Sequence, residues 1–549
     1  MTGVLSRQEL LSSASKLIAG VPATARQLGS LGDPRNLARL YSAGAINPRT
    51  MAALGATVPW LMVQGPSLAT ALKVNSLARP KKAALTDRAG ALTWHELAGR
   101  VNRLSRVLEE IAPPAGSMAM VLRNGRELSE CILAAQQLGM RACPLNTFAT
   151  QREMADLIAN SRPSVIFCDE RHLDVVEASA ADAMVVTVGP SGSYEALLAR
   201  KSALPLPPKL GRSSPRLVIH TSGTTGKPKG ASRDPASAGA SALAALLEIV
   251  PFHSDDAIFC PAPMFHSFGL AVFSVATVLG AHIVMPDRFE PLECLDMMKG
   301  HATTAAAFIP VMLGRILDLP EERLRTVRPR KMRLLLSSGS FLPQGLRQRA
   351  ANYFGDVLYD LYGSTEAGWV SIASPEDMRT KPDSLGRIVP GVEVKVLGPG
   401  GEEVKPGDIG RIAVKSDVTF EGYTGTNDAA PNDVISIGDF GRIEDGYLYL
   451  HGRTDDMAVI GGENVYPVEI EAVLERLEGV DEAAVIALHD EEYGQVLKAF
   501  YAGSLSEKEV IEGAKRALSS YKVPRSAVRL EELPRNATGK VVKAALPRN

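Results

Sequence analysis

A short run of glycines, hydroxyl side chains and lysines constrains this chain more than any other feature. It follows the apolar stretch 217–219 and reads Thr-Ser-Gly-Thr-Thr-Gly-Lys-Pro-Lys-Gly over 221–230. Glycine lets the backbone approach an anion closely and expose successive N–H groups, while the other side chains add donors and positive charge. The run predicts a polyphosphate-binding loop without the spacing of a Walker loop. Its candidate residues are Thr221, Ser222, Gly223, Thr224, Thr225, Gly226 and Lys229.

Helical and strand-like patterns alternate along most of the chain. Residues 97–108 and 128–138 have helical spacing, whereas 118–122 is strand-like. Such alternation is typical of a parallel α/β sheet, and a second alternating block runs from 215 to about 385. We therefore predict an α/β fold whose large N-terminal domain contains two parallel α/β subunits.

The remaining third of the chain has a different pattern. Strand-like patches at 392–414 and 434–450, separated by Gly, Pro and Asp turns, predict a small β unit. Mixed helical and strand patterns after it predict a small α+β domain. The predicted boundaries are 1–75 for an N-terminal helical extension, 76–454 for the large domain and 455–549 for the small C-terminal domain.

Composition excludes several classes of protein. The net charge of −1 over 549 residues argues against broad electrostatic binding to nucleic acid. Five scattered cysteines with no Cys-x-x-Cys pair favour a reducing compartment over a disulfide framework. The apolar stretch 51–63 is too short for a transmembrane helix and contains Pro59. With no secretory pattern at the N-terminus, the sequence predicts a cytoplasmic protein.

The N-terminal region allows two interpretations. Its apolar residues recur at helical spacing, which predicts one apolar stripe: Leu10, Leu11, Ala14, Leu17, Ile18 and Val21. The stripe fits either a helix packed on the main body or peripheral attachment to a membrane surface. The oligomeric state is also left open, with a homodimer among the alternatives.

Several further motifs follow the phosphate loop in a fixed order. They are the segments 263–269 (PMFHSFG), 338–340 (SGS), 362–366 (YGSTE), 437–439 (IGD), 452–456 (GRTDD), 461–464 (GGEN) and 534–540 (PRNATGK). This series resembles the adenylate-forming superfamily of acyl-CoA synthetases, luciferases and peptide-synthetase adenylation domains. Within it, the chain looks most like a bacterial fatty acyl-CoA synthetase. The resemblance covers roughly residues 80–549 and makes 76–454 an AMP-binding domain.

The resemblance implies a nucleotide site and its cofactors, ATP, Mg²⁺ and CoA. Tyr362 would stack on adenine, Asp360 would accept from its amino group, and Asp439 with Arg453 would hold the ribose. The backbone lining that site would come from Ser338, Gly339, Ser340, Gly363 and Ser364. These assignments fit the chemistry because an aromatic face stacks on a base and a carboxylate accepts from hydroxyl or amino groups.

The resemblance also implies the reacting groups and a mobile small domain. Thr365 would contact the α-phosphate, and Glu366 would be the oxygen ligand that Mg²⁺ prefers. Lys540 would place a cation on the carboxylate and α-phosphate during adenylation. Rotation about a hinge at Asp455 would then withdraw Lys540 and bring the glycine pair 461–462, Gly461 and Gly462, to the thiol tunnel.

Two segments assigned to the site of the carboxylic acid substrate have two interpretations each, one as part of the binding site and one as part of the packed core. His266 would lie beside the acyl carboxylate, or it is a buried histidine with satisfied hydrogen bonds. The apolar stretch 269–280, with small residues among larger ones, would line a long acyl slot or form a core helix.

The predicted function is a two-step ligation of a medium- to long-chain fatty acid. MgATP converts the carboxylate to an acyl-adenylate with release of pyrophosphate, and CoA then yields acyl-CoA and AMP. Alternatives are a fatty acyl-AMP ligase that loads a carrier protein, and a nucleotide- or lipid-binding protein that has lost catalysis. The short interval between Glu366 and Gly452 leaves little room for the insertion typical of acyl-AMP ligases, which favours CoA.

Overall fold

A computed structural model describes most of the chain. The described residues are 33–113, 116–180, 182–208, 216–222, 228–233, 239–416, 422–423, 434–453, 458–460, 463–490, 494–536 and 539–548. The predicted N-terminal stripe over 10–21 lies outside them.

From residue 33 onward, three helices precede the first described strand, and their first turns are capped. They are α1 (Pro34–Ser42), α2 (Pro48–Gln64) and α3 (Leu68–Ala78). Asp33, Asn47 and Ser67 each accept a hydrogen bond from a first-turn N–H, which satisfies donors that a helix start leaves unpaired. Among the residues described, none of the helices combines the length and apolar character needed to cross a bilayer.

The first predicted α/β block is confirmed between residues 83 and 199. Its elements are β1 (Ala83–Asp87), β2 (Gly90–Thr93), α4 (Trp94–Ile111), β3 (Ser117–Val121), α5 (Arg126–Leu138), β4 (Arg141–Pro144), α6 (Gln151–Ser161), β5 (Val165–Asp169), α7 (Leu173–Glu177), β6 (Met184–Val188) and α8 (Tyr194–Ala199). Helix α4 begins with a capping box, in which Thr93 and Glu96 each accept from the other's backbone N–H.

The second block also alternates, as predicted. Its elements are β7 (Arg216–Ser222), β8 (Pro228–Arg233), α9 (Gly239–Ile249), β9 (Ala257–Phe259), α10 (Ser267–Leu279), β10 (His282–Val284), α11 (Pro291–Gly300), β11 (Ala305–Phe308), α12 (Pro310–Leu317), α13 (Glu321–Thr326), β12 (Leu334–Ser338), α14 (Gln344–Phe354), β13 (Leu358–Ser364), β14 (Gly368–Ala373) and α15 (Pro375–Thr380).

Short strands and the small domain complete the described chain. The strands are β15 (Arg387–Ile388), β16 (Glu393–Leu397), β17 (Gly410–Lys415), β18 (Gly422–Tyr423), β19 (Ile435–Glu444) and β20 (Tyr447–Arg453). The small domain contains β21 (Ala458–Ile460), β22 (Glu463–Val465), α16 (Pro467–Leu474), β23 (Val480–Asp490), β24 (Gly494–Gly503), α17 (Glu507–Ala517) and β25 (Ser526–Arg529).

Two sheets organise the large domain. One has the order β18-β8-β7-β4-β3-β5-β6, and its strands from β7 to β6 are parallel. The other has the order β16-β17-β19-β20-β15-β14-β13-β12-β11-β9-β10-β1-β2. Its strands from β13 to β1 are parallel, and all residues of β12 are buried, as expected for a sheet covered on both faces. The predicted α/β class is confirmed.

The predicted small β unit continues the second sheet. Strand β14 pairs antiparallel with β13, and β15 and β20 extend the pairing to β19, β17 and β16. The unit nevertheless has its own apolar core, which includes Val370, Ile412, Val414 and Leu448. Hydrogen bonding therefore joins it to the parallel strands, while side-chain packing keeps it distinct.

This topology places the predicted motifs at one edge. The segments that carry them follow the carboxyl ends of β9, β12 and β13, which are parallel members of one sheet. The carboxyl edge of such a sheet is where ligands bind in open α/β folds. The small α+β domain has its own core around Val465, Ile470 and Val485. It contacts strand β19 of the large domain through the rings of Tyr466 and Phe440.

Candidate active site

The structure gathers residues from distant motifs at the carboxyl edge of the second sheet. The predicted nucleotide residues among them are Ser338, Gly339, Ser340, Asp360, Tyr362, Gly363, Ser364 and Asp439. They come from the ends of β12 and β13 and from β19, which joins the same sheet through β20 and β15.

The segment after β12 lies directly beside β13. Ser338 pairs with Leu361 in a parallel register, and its hydroxyl donates to the Leu361 carbonyl oxygen over 2.8 Å. Gly339 follows with φ +97°, and a β-carbon there would lie 3.2 Å from Ile309 Cγ2. The fold therefore sets a backbone segment with little side-chain bulk next to the strand that carries Asp360.

Asp360 is the buried carboxylate of this group, with 8% of its surface exposed. Arg347 on α14 faces it, and the distance from Arg347 Nη2 to Asp360 Oδ2 is 3.4 Å. Burial raises the pKa of Asp360 to about 6, and the charge of Arg347 opposes that rise. The carboxyl group is therefore mainly ionised at neutral pH, as an acceptor for an amino group must be.

Tyr362 and Asp439 meet although they lie far apart in the chain. The Tyr362 hydroxyl donates to the Asp439 carboxylate. Asp439 on β19 pairs directly across from Arg453 on β20, which places the two predicted ribose contacts on neighbouring strands. The predicted adenine-stacking ring and ribose-binding residues thus share one corner of the site.

The loop between β13 and β14 holds the predicted reacting groups Thr365 and Glu366. The Ser364 hydroxyl accepts from the Ala367 N–H over 3.0 Å, which fixes the turn. Thr365 Oγ1 lies 3.4 Å from the hydroxyl oxygen of Ser267, at the start of α10. The motif at 263–269 is therefore brought against the 362–366 motif.

His266 occupies the N-cap position of α10. Its Nε2 atom is buried and has no hydrogen-bond partner among the described residues, and its ring centre lies 4.5 Å from that of Phe265. Burial lowers the pKa of His266 to about 4, so the imidazole is neutral at physiological pH. A buried nitrogen without a partner fits a nearby substrate group better than it fits a satisfied core histidine.

The turn that ends in Lys540 is docked on the large domain. Asn536 and Lys540 are joined by two hydrogen bonds of 2.9 Å, one to the Asn536 side chain and one between backbone groups. Gly539 (φ +78°) sits so close to α12 that a β-carbon would lie 2.1 Å from Val311 Cγ1. Only glycine allows this approach at a positive φ.

The same contact connects Lys540 to the nucleotide segment. A β-carbon on Gly539 would lie 3.4 Å from Ile309 Cδ1, and one on Gly339 would lie 3.2 Å from Ile309 Cγ2. Ile309 is thus approached by backbone from the small domain and from the end of β12. Lys540, which is exposed, is the next residue in the sequence after Gly539.

Some predicted site residues cannot be placed in this way. Those outside the described residues are Gly223, Thr224, Thr225, Gly226, Asp455, Gly461 and Gly462. For Thr221, Ser222, Lys229 and Arg453 the backbone is described within strands, and the side chains lie outside the description. Strands β7 and β8, which precede and follow the glycine-rich residues in the sequence, are antiparallel neighbours.

Two residues of the site carried no signal in the sequence. Arg347 faces Asp360 from a helix, and Ile309 separates the two glycine segments. Each is an ordinary residue for its element, and no spacing links it to its partner. Only the order of the strands reveals these neighbours.

Comparison with known proteins identifies the family. Residues 72–424 match the family described as AMP-binding enzyme, and residues 469–540 match the AMP-binding enzyme C-terminal domain. The chain belongs to the AMP-binding enzyme family. The predicted resemblance to adenylate-forming enzymes is thereby confirmed.

Individual relatives have different substrates. Indoleacetate–CoA ligase of Aromatoleum aromaticum is 32% identical over 488 residues, 84% of this chain and 94% of that protein. Long-chain-fatty-acid–CoA ligase FadD13 of Mycobacterium tuberculosis is 28% identical over 472 residues, 83% of this chain and 92% of that protein. ATP-bound MatB from Rhodopseudomonas palustris matches with a TM-score of 0.79 at 29% identity, over 87% of this chain and 97% of that chain.

These findings define the class of enzyme as an acyl-CoA ligase that acts through an acyl-adenylate. Such ligases use ATP, Mg²⁺ and CoA, as predicted. Mg²⁺ keeps most of its waters and needs only one or two carboxylates beside the substrate phosphates. Glu366, half-buried in the loop next to Thr365, fits that requirement and would hold an ion that neutralises phosphate charge.

Proposed function

We propose that the acid activated by this ligase is a medium- to long-chain fatty acid. The observation that carries the proposal is the least buried face of α10, which bears Ser267, Ala271, Ser274 and Val278. The face starts at the Ser267–Thr365 contact and ends at Val278, which is 40% exposed. At 1.5 Å per residue it spans roughly 16 Å, which suits an extended acyl chain. The fatty-acid relative from Mycobacterium tuberculosis supports the same substrate class.

An aromatic acid is the second candidate. The relative from Aromatoleum aromaticum, at 32% identity, is an indoleacetate ligase. A bulky ring would need a wide pocket near the reacting carboxylate, whereas a fatty chain needs a long narrow one. Small side chains along α10 favour the long pocket.

A panel of carboxylates tests the substrate class. The wild-type enzyme is assayed with acids from acetate to about twenty carbons and with aryl acids, and CoA-dependent AMP release is measured. We expect the highest kcat/KM among fatty acids of medium to long chain. An aryl acid that outperforms every fatty acid contradicts the proposal. Adenylate without acyl-CoA would indicate a carrier-protein ligase, and no pyrophosphate exchange with any acid would indicate a binding protein.

Filling the open face of α10 should shorten the accepted chain. In Ala271→Leu the larger side chain would obstruct the slot, so we expect kcat/KM for hexadecanoate to fall about tenfold relative to hexanoate. Ala56→Leu, at an exposed position of α2, is the matched control and should leave the chain-length profile unchanged. Equal losses for both acids in Ala271→Leu would show that the face packs against protein instead.

We further propose how the residues share the two steps. In the first, a carboxylate oxygen forms a bond to the α-phosphorus while the bond to pyrophosphate breaks. Thr365 would donate to the α-phosphate, and Lys540 would neutralise charge where the two anions meet. In the second, the CoA thiol attacks the acyl carbonyl and AMP leaves, after the small domain turns about Asp455 and brings the 461–462 segment to the thiol.

Acidic pH should weaken use of ATP through Asp360. The pKa of this carboxyl is about 6, so it takes up a proton as the pH falls through that value. Because the protonated form accepts poorly, kcat/KM for ATP should decline below about pH 6. The pH profile of Asp360→Asn, which lacks the titrating group, should be lower and flatter over the same range. A wild-type decline that persists unchanged in Asp360→Asn would remove Asp360 from this role.

We also propose a cytoplasmic location. All five cysteines are buried and free, as suits a reducing compartment. We also propose peripheral membrane contact through the N-terminal region, which vesicle flotation tests. A further proposal is a homodimer, which light scattering tests.

A further inference from the structure

We propose that His451 and Glu469 form a latch that holds the small domain in the arrangement used for adenylation. They are positioning residues, because they act through the placement of Lys540 and touch no reacting atom. The proposal rests on the role proposed above for Lys540.

On the large domain, His451 is oriented by Arg442. Both residues lie on the β19–β20 hairpin, and an Arg442 guanidinium N–H donates to His451 Nε2. A guanidinium can only donate, so Nε2 must accept and the ring proton is on Nδ1. Arg442 also stacks on Tyr449, with its guanidinium carbon 4.4 Å from the ring centre, which fixes its direction.

On the small domain, the Glu469 carboxylate accepts a hydrogen bond from the Nδ1–H group of His451. His451 Nδ1 lies 3.0 Å from Glu469 Oε1, and the ammonium group of Lys522 donates to the other carboxylate oxygen. Burial acts to raise the pKa of Glu469, but the hydrogen bonds from His451 and Lys522 outweigh it and leave the pKa below its usual value. The carboxylate is therefore charged at neutral pH, which strengthens the bond that crosses between the domains.

The latch exists in the same arrangement as the docked Lys540 turn. Its two halves lie on opposite sides of residues 454–457, and so do Ile309 and Gly539. In the proposed rotation of the small domain about that segment, Glu469 would leave His451 as Gly539 leaves Ile309, so the two contacts would be made and broken together.

Neighbouring contacts make this interface continuous. The rings of Phe440 and Tyr466 are 5.4 Å apart, and Asp383 of the large domain pairs with Arg476 of the small one. The Asp383–Arg476 pair is more than half exposed and contributes little. The His451–Glu469 bond is mostly shielded, with 16% and 23% of the two side chains exposed, so of these two polar contacts it is the one expected to contribute more.

The two half-reactions test the latch separately. Hexadecanoate-dependent pyrophosphate exchange reports adenylation, and conversion of supplied hexadecanoyl-AMP with CoA reports thioester formation. We expect His451→Ala to lower kcat for exchange about tenfold, the effect of losing one charge-assisted hydrogen bond. The KM of this variant for ATP should stay at the wild-type value. Its rate of thioester formation should stay at the wild-type value or rise. His451→Asn, which keeps a donor near the Nδ1 position, should restore exchange.

Matched controls separate a latch from a general loss of stability. Glu512→Gln removes an exposed ion pair with Lys515 that lies wholly within the small domain, and it should change neither half-reaction. Equal losses of both half-reactions in His451→Ala, or no loss in either, would overturn the proposal.

A distance measurement keeps the test independent of the acid. Because the native cysteines are buried, spin labels can be attached at Glu322→Cys and Lys508→Cys, which are exposed in the large and small domains. With MgATP present, the labelled wild-type background should give one main distance, and His451→Ala should add a second population. Identical distributions would overturn the latch, whereas failure of the fatty-acid panel alone would affect only the proposed substrate.

Discussion

Replacing Lys540 with alanine should slow acyl-adenylate formation by roughly 10²–10³-fold, the usual cost of removing one charge-stabilising donor from a reaction centre. The turn that carries Lys540 is docked at Ile309, beside the segment after β12, as the proposed role of Lys540 in the first half-reaction requires. Thioester formation from supplied acyl-AMP should be nearly unaffected, because in the proposed second step the small domain has turned and withdrawn Lys540. Pyrophosphate exchange and single-turnover thioester assays measure the two rates.

Lys543→Ala is the matched control for this experiment. Lys543 lies three residues further along the same tail and pairs with Glu471 of the small domain over 2.8 Å. Its loss removes an equal charge without a proposed role at the site, so adenylation should stay near the wild-type rate. If Lys540→Ala slowed both half-reactions equally, the proposed role of Lys540 would be wrong.

Arg347→Met should lower the free energy of unfolding by roughly 3 kcal/mol at pH 8, because it leaves the buried Asp360 carboxylate without its cation. The side chains of Arg347 and Asp360 are only 11% and 10% exposed. Chemical denaturation, monitored by tryptophan fluorescence, measures the change. We also expect a higher KM for ATP, since the carboxyl group would be protonated at neutral pH more often.

The pH dependence of this loss has a defined sign. The pKa of Asp360 in the folded protein is already above its ordinary value, and removing Arg347 raises it further. Between the pKa of Asp360 in the unfolded state and its higher pKa in the folded state, the folded state binds more protons. Stability therefore falls as the pH rises through that window. The deficit of Arg347→Met should therefore be larger at pH 8 than at pH 5.

Two variants control for other effects of the substitution. Arg349→Met, on the same helix, breaks an exposed pair with Asp318 and should change stability by at most about 1 kcal/mol. The double variant Arg347→Met with Asp360→Asn removes both charges and should recover much of the loss. A double variant as unstable as the sum of the two single variants would show that the pair is not coupled.

Much of the fold was predictable because its elements have local signals. The helices over 97–108 and 128–138 and the strand over 118–122 were predicted from periodicity, and the structure contains them with slightly different ends. The pairing of the antiparallel strands with the second sheet was not predictable. Their alternating pattern specifies a buried face and leaves the neighbouring strand unspecified.

The sequence by itself determined the family and the chemistry of its site, because binding phosphate, stacking on a base and holding a metal require particular residue types in local order. The tertiary structure alone decided which of these residues meet and in what electrostatic state. Tyr362 reaches Asp439, Asp360 faces Arg347, and Gly539 touches Ile309 only because strand order and domain docking bring distant segments together. Burial then sets the pKa of Asp360, and burial is a property of the assembled fold.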